Sequence, residues 1–315
     1  MIIDTLIDKI IEFQNPTCIG LDSRLEYLPK KYLKKFNAYE EGFKGAAQRI
    51  YQFNKDIIDA VCGIIPCVKI QSAYYELYGY QGMKIFYKTI KYARKCGMIV
   101  IADVKRGDIG STSLAYANAY LGVTPKINRP AFPCDFITVN PYIGTDCVMP
   151  FVNLCEENDK GIFILVKTSN PSSKDIQDII GWNEPVYKTV GDFVEYWGSS
   201  CVGNYGYSNV AAVIGATNPR EAFELRSKLK SVFFLIPGYG AQGATGKDLG
   251  NFFDSNGLGG IVNASRSLIC ACKLDEYSKF DHIDAVRSAA LDMKADILSS
   301  LNSFNKPLQK IKGSV

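Results

Sequence analysis

A (β/α)8 barrel, read as one domain over residues 1–315, is the fold this sequence predicts, and three observations predict it. Eight short apolar runs rich in Val, Ile and Phe follow one another along the chain. Segments with a 3.6-residue apolar rhythm lie between several of them. Most of the runs end in a polar residue, which suits a barrel whose chemistry sits at the C-terminal ends of its strands. A doubly wound open sheet is the rival architecture, because it also alternates strands with helices.

The runs cover residues 17–22, 64–71, 98–104, 136–140, 161–168, 211–216, 232–238 and 260–265. They are nearly continuous in apolar residues rather than alternating, as a parallel sheet buried on both faces requires. Helices are expected at 45–60, at 83–95 with Gly97 as its stop, from Asn218-Pro219 onward, and at 283–298. The chain exceeds the ~250 residues of an ordinary barrel. The surplus is assigned to 23–44, 122–135 and 169–207, where Gly, Pro and polar residues rise.

Composition narrows the chemistry. Lys+Arg 36 against Asp+Glu 32 gives a net charge of +4, too small a surplus for a nucleic-acid binder. No apolar run approaches the ~20 residues that span a bilayer. The N-terminal stretch carries Asp4 and Asp8 where a signal peptide would carry Lys or Arg, so a cytoplasmic location is expected. The single histidine, His282, cannot form a multi-His metal site, and it reads as a solvated residue at the start of the last helix. Ten cysteines include no CxxC pair. They read mostly as small buried hydrophobes, and Cys270-Ala-Cys272 is weak support for zinc. The tail after Phe304, with Lys306, Lys310 and Lys312, reads as a solvated end.

Candidate site residues fall at the strand ends: Asp22, then Lys69 and Gln71, then Asp103 and Lys105, then Asn140, then Thr168 and Ser169. Alternation along the third strand places Asp103 and Lys105 on one face with Val104 opposite, and Gly107 lets the chain turn before Asp108. The cluster of Asp103, Lys105, Asp108 and Lys69 can balance its own charge. A lysine held between carboxylates keeps its proton, which suits a positioned acid. A structural salt-bridge network at a barrel rim would use the same residues. After the seventh strand, Pro237-Gly238-Tyr239-Gly240-Ala241-Gln242-Gly243 allows a dinucleotide fingerprint, but the next strand lacks the acid that would hold a ribose. A Walker loop fails at Ala241 and Asp248. A barrel phosphate site, built from backbone N–H groups with Gln242 and Arg266, fits best.

With these residues in view, the chain resembles the orotidine 5′-monophosphate decarboxylase family, in its longer variant. The likeness runs from Asp22 to Arg266. It rests on Asp103-x-Lys105-x-x-Asp108, on Ile109-Gly110-Ser111-Thr112, and on the Gln242 and Arg266 pair. The resemblance implies decarboxylation of orotidine 5′-monophosphate to UMP and CO2, the last step of UMP biosynthesis, with no metal and no other cofactor. It implies that Lys105 donates a proton to carbon 6 and that Asp103 lies against the substrate carboxylate. Asp108, with Ile109 beside it, would reach the neighbouring site of a homodimer. Asp22 and Lys69 would hold the ribose hydroxyls, and Thr112 would lie near the ribose. Ser169 or Thr168 would read the base. Gln242 and Arg266 would bind the phosphate in a loop shaped by Pro237 and Gly238. Two alternatives stand beside it: a Mg²⁺-assisted barrel enzyme acting on a sugar phosphate, and a non-catalytic nucleotide-binding barrel.

Overall fold

Parallel pairing closes the eight apolar runs into a barrel in a computed structural model that describes residues 1–309; Lys310 and Lys312 lie outside the described residues. The strands are β1 (Thr17–Leu21), β2 (Cys67–Gln71), β3 (Ile99–Arg106), β4 (Phe136–Val139) and β5 (Gly161–Lys167). A two-stranded hairpin follows, β6 (Ile180–Gly181) and β7 (Glu184–Pro185). The barrel resumes with β8 (Val210–Ile214), β9 (Phe234–Pro237) and β10 (Gly260–Ala264). Around the barrel the order is β1-β10-β9-β8-β5-β4-β3-β2. Each strand pairs with its sequence neighbour in the barrel, and β10 closes against β1.

Two apolar layers explain why the runs lack alternation. Ile162, Ile164 and Val166 of β5 face outward, into the cluster between sheet and helices. Phe136, Phe163, Phe233 and Leu235 fill the barrel interior. The interior cluster also contains Ile3, Leu6, Ile7 and Ile10. These belong to an unanticipated helix, Ile2–Phe13, that packs across the end of the barrel opposite the candidate site. Its apolar i, i+3, i+4, i+7 spacing was legible in principle.

The structure corrects several expectations. Val186–Trp197 is a regular barrel helix, with Tyr187, Val194 and Trp197 buried, rather than part of an insertion. The surplus in that region is concentrated in residues 170–185. There Trp182 and Asn183, at φ 49° and 77°, form the two-residue loop of the β6–β7 hairpin. His282 is buried, at 5% exposure, stacked on Phe53 with ring centroids 5.0 Å apart. Burial, reinforced by the Lys31 ammonium, pushes its pKa down to about 4. Lys306 is not a solvated tail residue: its Nζ donates to the carbonyls of Gly250 and Phe253 at 2.8 and 2.6 Å. The cysteines are free, seven of them buried. Among the described residues no helix is long and apolar enough to cross a membrane.

Candidate active site

A cavity of about 1280 Å³ opens at the C-terminal ends of the strands. Its polar floor is organised around Asp103, near the end of β3. That carboxylate accepts four hydrogen bonds. Lys69 Nζ and Gln71 Nε2 donate to Oδ2 at 2.9 and 3.0 Å. Lys105 Nζ and Thr138 Oγ1 donate to Oδ1 at 2.6 and 2.8 Å. Lys69 Nζ also reaches Asp22 at 3.3 Å. Burial pushes the Asp103 carboxyl up, but the Lys69 and Lys105 ammonium groups outweigh it and hold the group well below the usual carboxylate range. Burial likewise opposes the charge on Lys69, and Asp103 and Asp22 overcome it and raise its pKa. The two lysines and two aspartates therefore form a neutral array of fixed charges.

Lys105 differs from its neighbours in two respects. Its side chain is 46% exposed, against 6% for Lys69 and 7% for Asp103, so its ammonium fronts the open cavity. Its backbone also departs from the expected pleat. The β3–β4 register shifts between Ala102 and Arg106, and Lys105 has φ 46°, in the left-handed region. A non-glycine residue held there costs about 1–3 kcal/mol and persists only where its surroundings fix it. Simple alternation therefore gave the right partners for the wrong geometric reason. Just beyond, Gly107 has no room for a Cβ, which would lie 2.7 Å from the Asn140 carbonyl oxygen.

The remaining candidates divide between the cavity and the surface outside it. Ser169, Thr168, Pro237, Gly238, Gln242 and Arg266 line the same cavity as the charged floor. Gly238 adopts φ 118°, which only glycine tolerates well. Arg266 Nη2 donates to the Ala241 carbonyl at 3.2 Å, bringing the loop after β9 to the end of β10. Asp108, Ile109 and Thr112 are absent from the cavity wall. Asp108 accepts its own neighbour's Ile109 N–H at 2.8 Å, and Ile109 is 54% exposed on the adjoining surface.

Thr138 was missed as a site residue, although alternation back from Asn140 puts it on the inward face. Arg24 was also missed. It lines the cavity, donates to Tyr74 Oη at 2.8 Å, and lies over the Tyr74 ring at 4.7 Å. Another part of the wall is apolar, with Trp182, Val190, Phe193 and Trp197. Both of the chain's tryptophans thus line this one cavity. Among the described residues no group of three or more His, Cys, Asp or Glu is arranged to hold a metal ion.

Residues 16–273 match the model of the orotidine 5′-phosphate decarboxylase / HUMPS family. The chain is 41% identical over 301 residues to the orotidine 5′-phosphate decarboxylase of Petrotoga mobilis, covering 95% of this chain and 99% of that one. It is 40% identical to the Clostridium acetobutylicum protein of the same name, covering 96% and 100%. Its structure superposes on Leishmania donovani OMP decarboxylase with a TM-score of 0.71 at 26% identity, covering 96% of this chain and 98% of that one.

Proposed function

The chain belongs to the orotidine 5′-phosphate decarboxylase family, and we propose that it converts orotidine 5′-monophosphate to UMP and CO2 with Lys105 as the proton donor to carbon 6. The observation that carries this reading is the Lys69–Asp103–Lys105 array, with one ammonium facing an open cavity. In the reaction the bond between C6 and the carboxylate carbon breaks. CO2 leaves and the electron pair stays on C6. Lys105 delivers a proton to that pair and is reprotonated from solvent.

No organic electron sink is required, because fixed charge stabilises the carbanion-like centre. A unit charge at ~3.5 Å in an effective dielectric of ~20 contributes about 4–5 kcal/mol. Asp103, kept ionised by its lysines, lies against the departing carboxylate. Asp22 and Lys69 hold the ribose hydroxyls, and Ser169 or Thr168 reads the base. Gln242 and Arg266 grip the phosphate in the loop shaped by Pro237 and Gly238. That remote grip supplies binding energy which orders the site for the reaction. Lys69 Nζ sits between Asp22 and Asp103, where a Mg²⁺-assisted enzyme would need free carboxylate oxygens. This favours the decarboxylase reading.

Asp108, Ile109 and Thr112 complete the site of a partner subunit in a homodimer. Their position outside the chain's own cavity supports this, as does an apolar side chain in the helix that carries Thr112, where Leu114 is 45% exposed. The test is the absorbance change of orotidine 5′-monophosphate on adding purified protein, with and without EDTA. EDTA-insensitive turnover is expected. No turnover at micromolar enzyme would overturn the reading, and loss on EDTA restored by Mg²⁺ would favour the metal-assisted alternative.

A further inference from the structure

We propose that Thr138 is a positioning residue, a single buried hydroxyl that fixes the direction in which Lys105 presents its ammonium; the proposal rests on the decarboxylase reading above. Thr138 is 1% exposed, on the inward face of β4. It sits at the register break: from Ala102 to Arg106 β3 advances four residues, while its partners Ile137 to Val139 on β4 advance two. The extra length of β3 is taken up around Lys105, whose φ of 46° turns the chain out of the pleat.

A displaced, left-handed backbone N–H has no partner in the ladder. Here it donates to Thr138 Oγ1 at 2.9 Å. The threonine hydroxyl has one proton, and it donates that proton to Asp103 Oδ1 at 2.8 Å. The same Oδ1 accepts from Lys105 Nζ at 2.6 Å. The contacts thus form a closed ring: Lys105 N–H to Thr138, Thr138 to Asp103, and Asp103 back to the far end of the Lys105 side chain. Both ends of the lysine are referenced to one hydroxyl. Preorganisation of this kind acts on the transition state more than on ground-state binding, because UMP lacks the carboxylate that Asp103 and Lys105 face.

Thr138→Val keeps the shape and removes the hydroxyl. It leaves the Lys105 N–H without its acceptor and removes one of the four donors to Asp103. Thr138→Ser keeps the hydroxyl and loses only a methyl group. For Thr138→Val, kcat is expected to fall 30-fold or more, on the order expected for loss of a preorganised contact at a reacting group. UMP affinity should stay within about threefold, while Thr138→Ser recovers kcat to within about fivefold of the parent. Amide hydrogen exchange of Lys105, read without substrate, should accelerate in Thr138→Val and not in Thr138→Ser. Should the valine variant fail to fold, Thr138→Ala is measured in its place. Equal falls in kcat and UMP affinity would overturn the proposal by making Thr138 merely structural. So would a valine variant with more than half the parent kcat, failure of serine to rescue, or unchanged Lys105 exchange. Absence of turnover in the parent protein would instead sink the decarboxylase reading, and the positioning role with it.

Discussion

β3 and β5 each carry a lysine within their last two residues, Lys105 and Lys167, and each shifts register with a neighbouring strand around it. β3 shifts against β4 between Ala102 and Arg106, and β5 against β8 between Leu165 and Lys167. The two lysines then meet opposite fates. Lys105 turns inward, pairs with Asp103, and leaves nearly half its side chain facing the cavity. Lys167 is 2% exposed, ion-paired with Asp178 and lying 5.2 Å from the centre of the Tyr187 ring. The segment after each strand decides the difference. After β3 the chain turns tightly through Gly107 and enters the helix Gly110–Tyr120, and Lys105 Nζ gains its partner from its own strand. After β5 a long excursion returns Gln177 and Asp178 to the strand end, where Gln177 accepts the Thr168 N–H at 2.9 Å. The same Val-Lys pair therefore gives a cavity-facing ammonium at one end and a pin for the 170–185 segment at the other.

The largest expected effect tests the β3 end. Lys105→Ala should reduce turnover below about 1% of the parent while UMP affinity stays within about tenfold, as the loss of a proton donor acting in the transition state would. Steady-state kinetics with isothermal titration of UMP would decide it. Retention of more than a few percent of the rate would remove Lys105 as proton donor.

Next, the turn after β3 is tested for its reach into a partner. Asp108→Ala alone should be nearly inactive, as is expected of Lys105→Ala. Refolded together in equal amounts, the two should recover about a quarter of parental activity. About half the dimers are then mixed, and each mixed dimer has one site with neither defect. Activity unchanged from the single mutants, with mixed dimers shown by mass spectrometry, would return Asp108 to its own subunit.

A smaller effect is expected at the far side of the cavity. Arg266→Ala should weaken UMP binding by about 1.5–3 kcal/mol, the range for hydrogen bonds to charged groups. Uridine, without the phosphate, should bind both proteins alike. Equal losses for UMP and uridine would make Arg266 structural.

The smallest effect is expected at the β5 end. Lys167→Met fills similar space and removes the charge. Asp178, at 42% side-chain exposure, can be hydrated once its partner is gone. The expected cost is about 1 kcal/mol, or roughly 2 °C in unfolding midpoint, with kcat within about threefold. A kcat loss comparable to that of Lys105→Ala would erase the distinction between the two ends.

Much of this barrel was legible because burial on both faces writes each strand as an apolar run. All eight runs recur as barrel strands, with no end shifted by more than three residues. The polar residues at those ends mark the cavity floor, because a polar side chain at that depth needs a partner or a ligand. The sequence hid what depends on backbone turned out of register. Nothing in Asp103-Val104-Lys105 distinguishes a pleated strand from one with a left-handed residue. Nothing in Lys167-Thr168 announces that Asp178 will return to cover it. His282 was misread because its neighbour Asp281 caps a helix at the surface, while the ring itself turns inward onto Phe53.

The placement of the two tryptophans gives the native protein a built-in optical reporter. Trp182, at the hairpin tip, is 84% exposed, and Trp197, in the wall behind it, is 5% exposed. The indole emission therefore divides into a water-relaxed component at longer wavelength and a shielded one at shorter wavelength. A molecule bound against the hairpin tip alters the first component, and one bound against Trp197 alters the second. Which of the two colours changes records the part of the cavity that is occupied, with no dye attached.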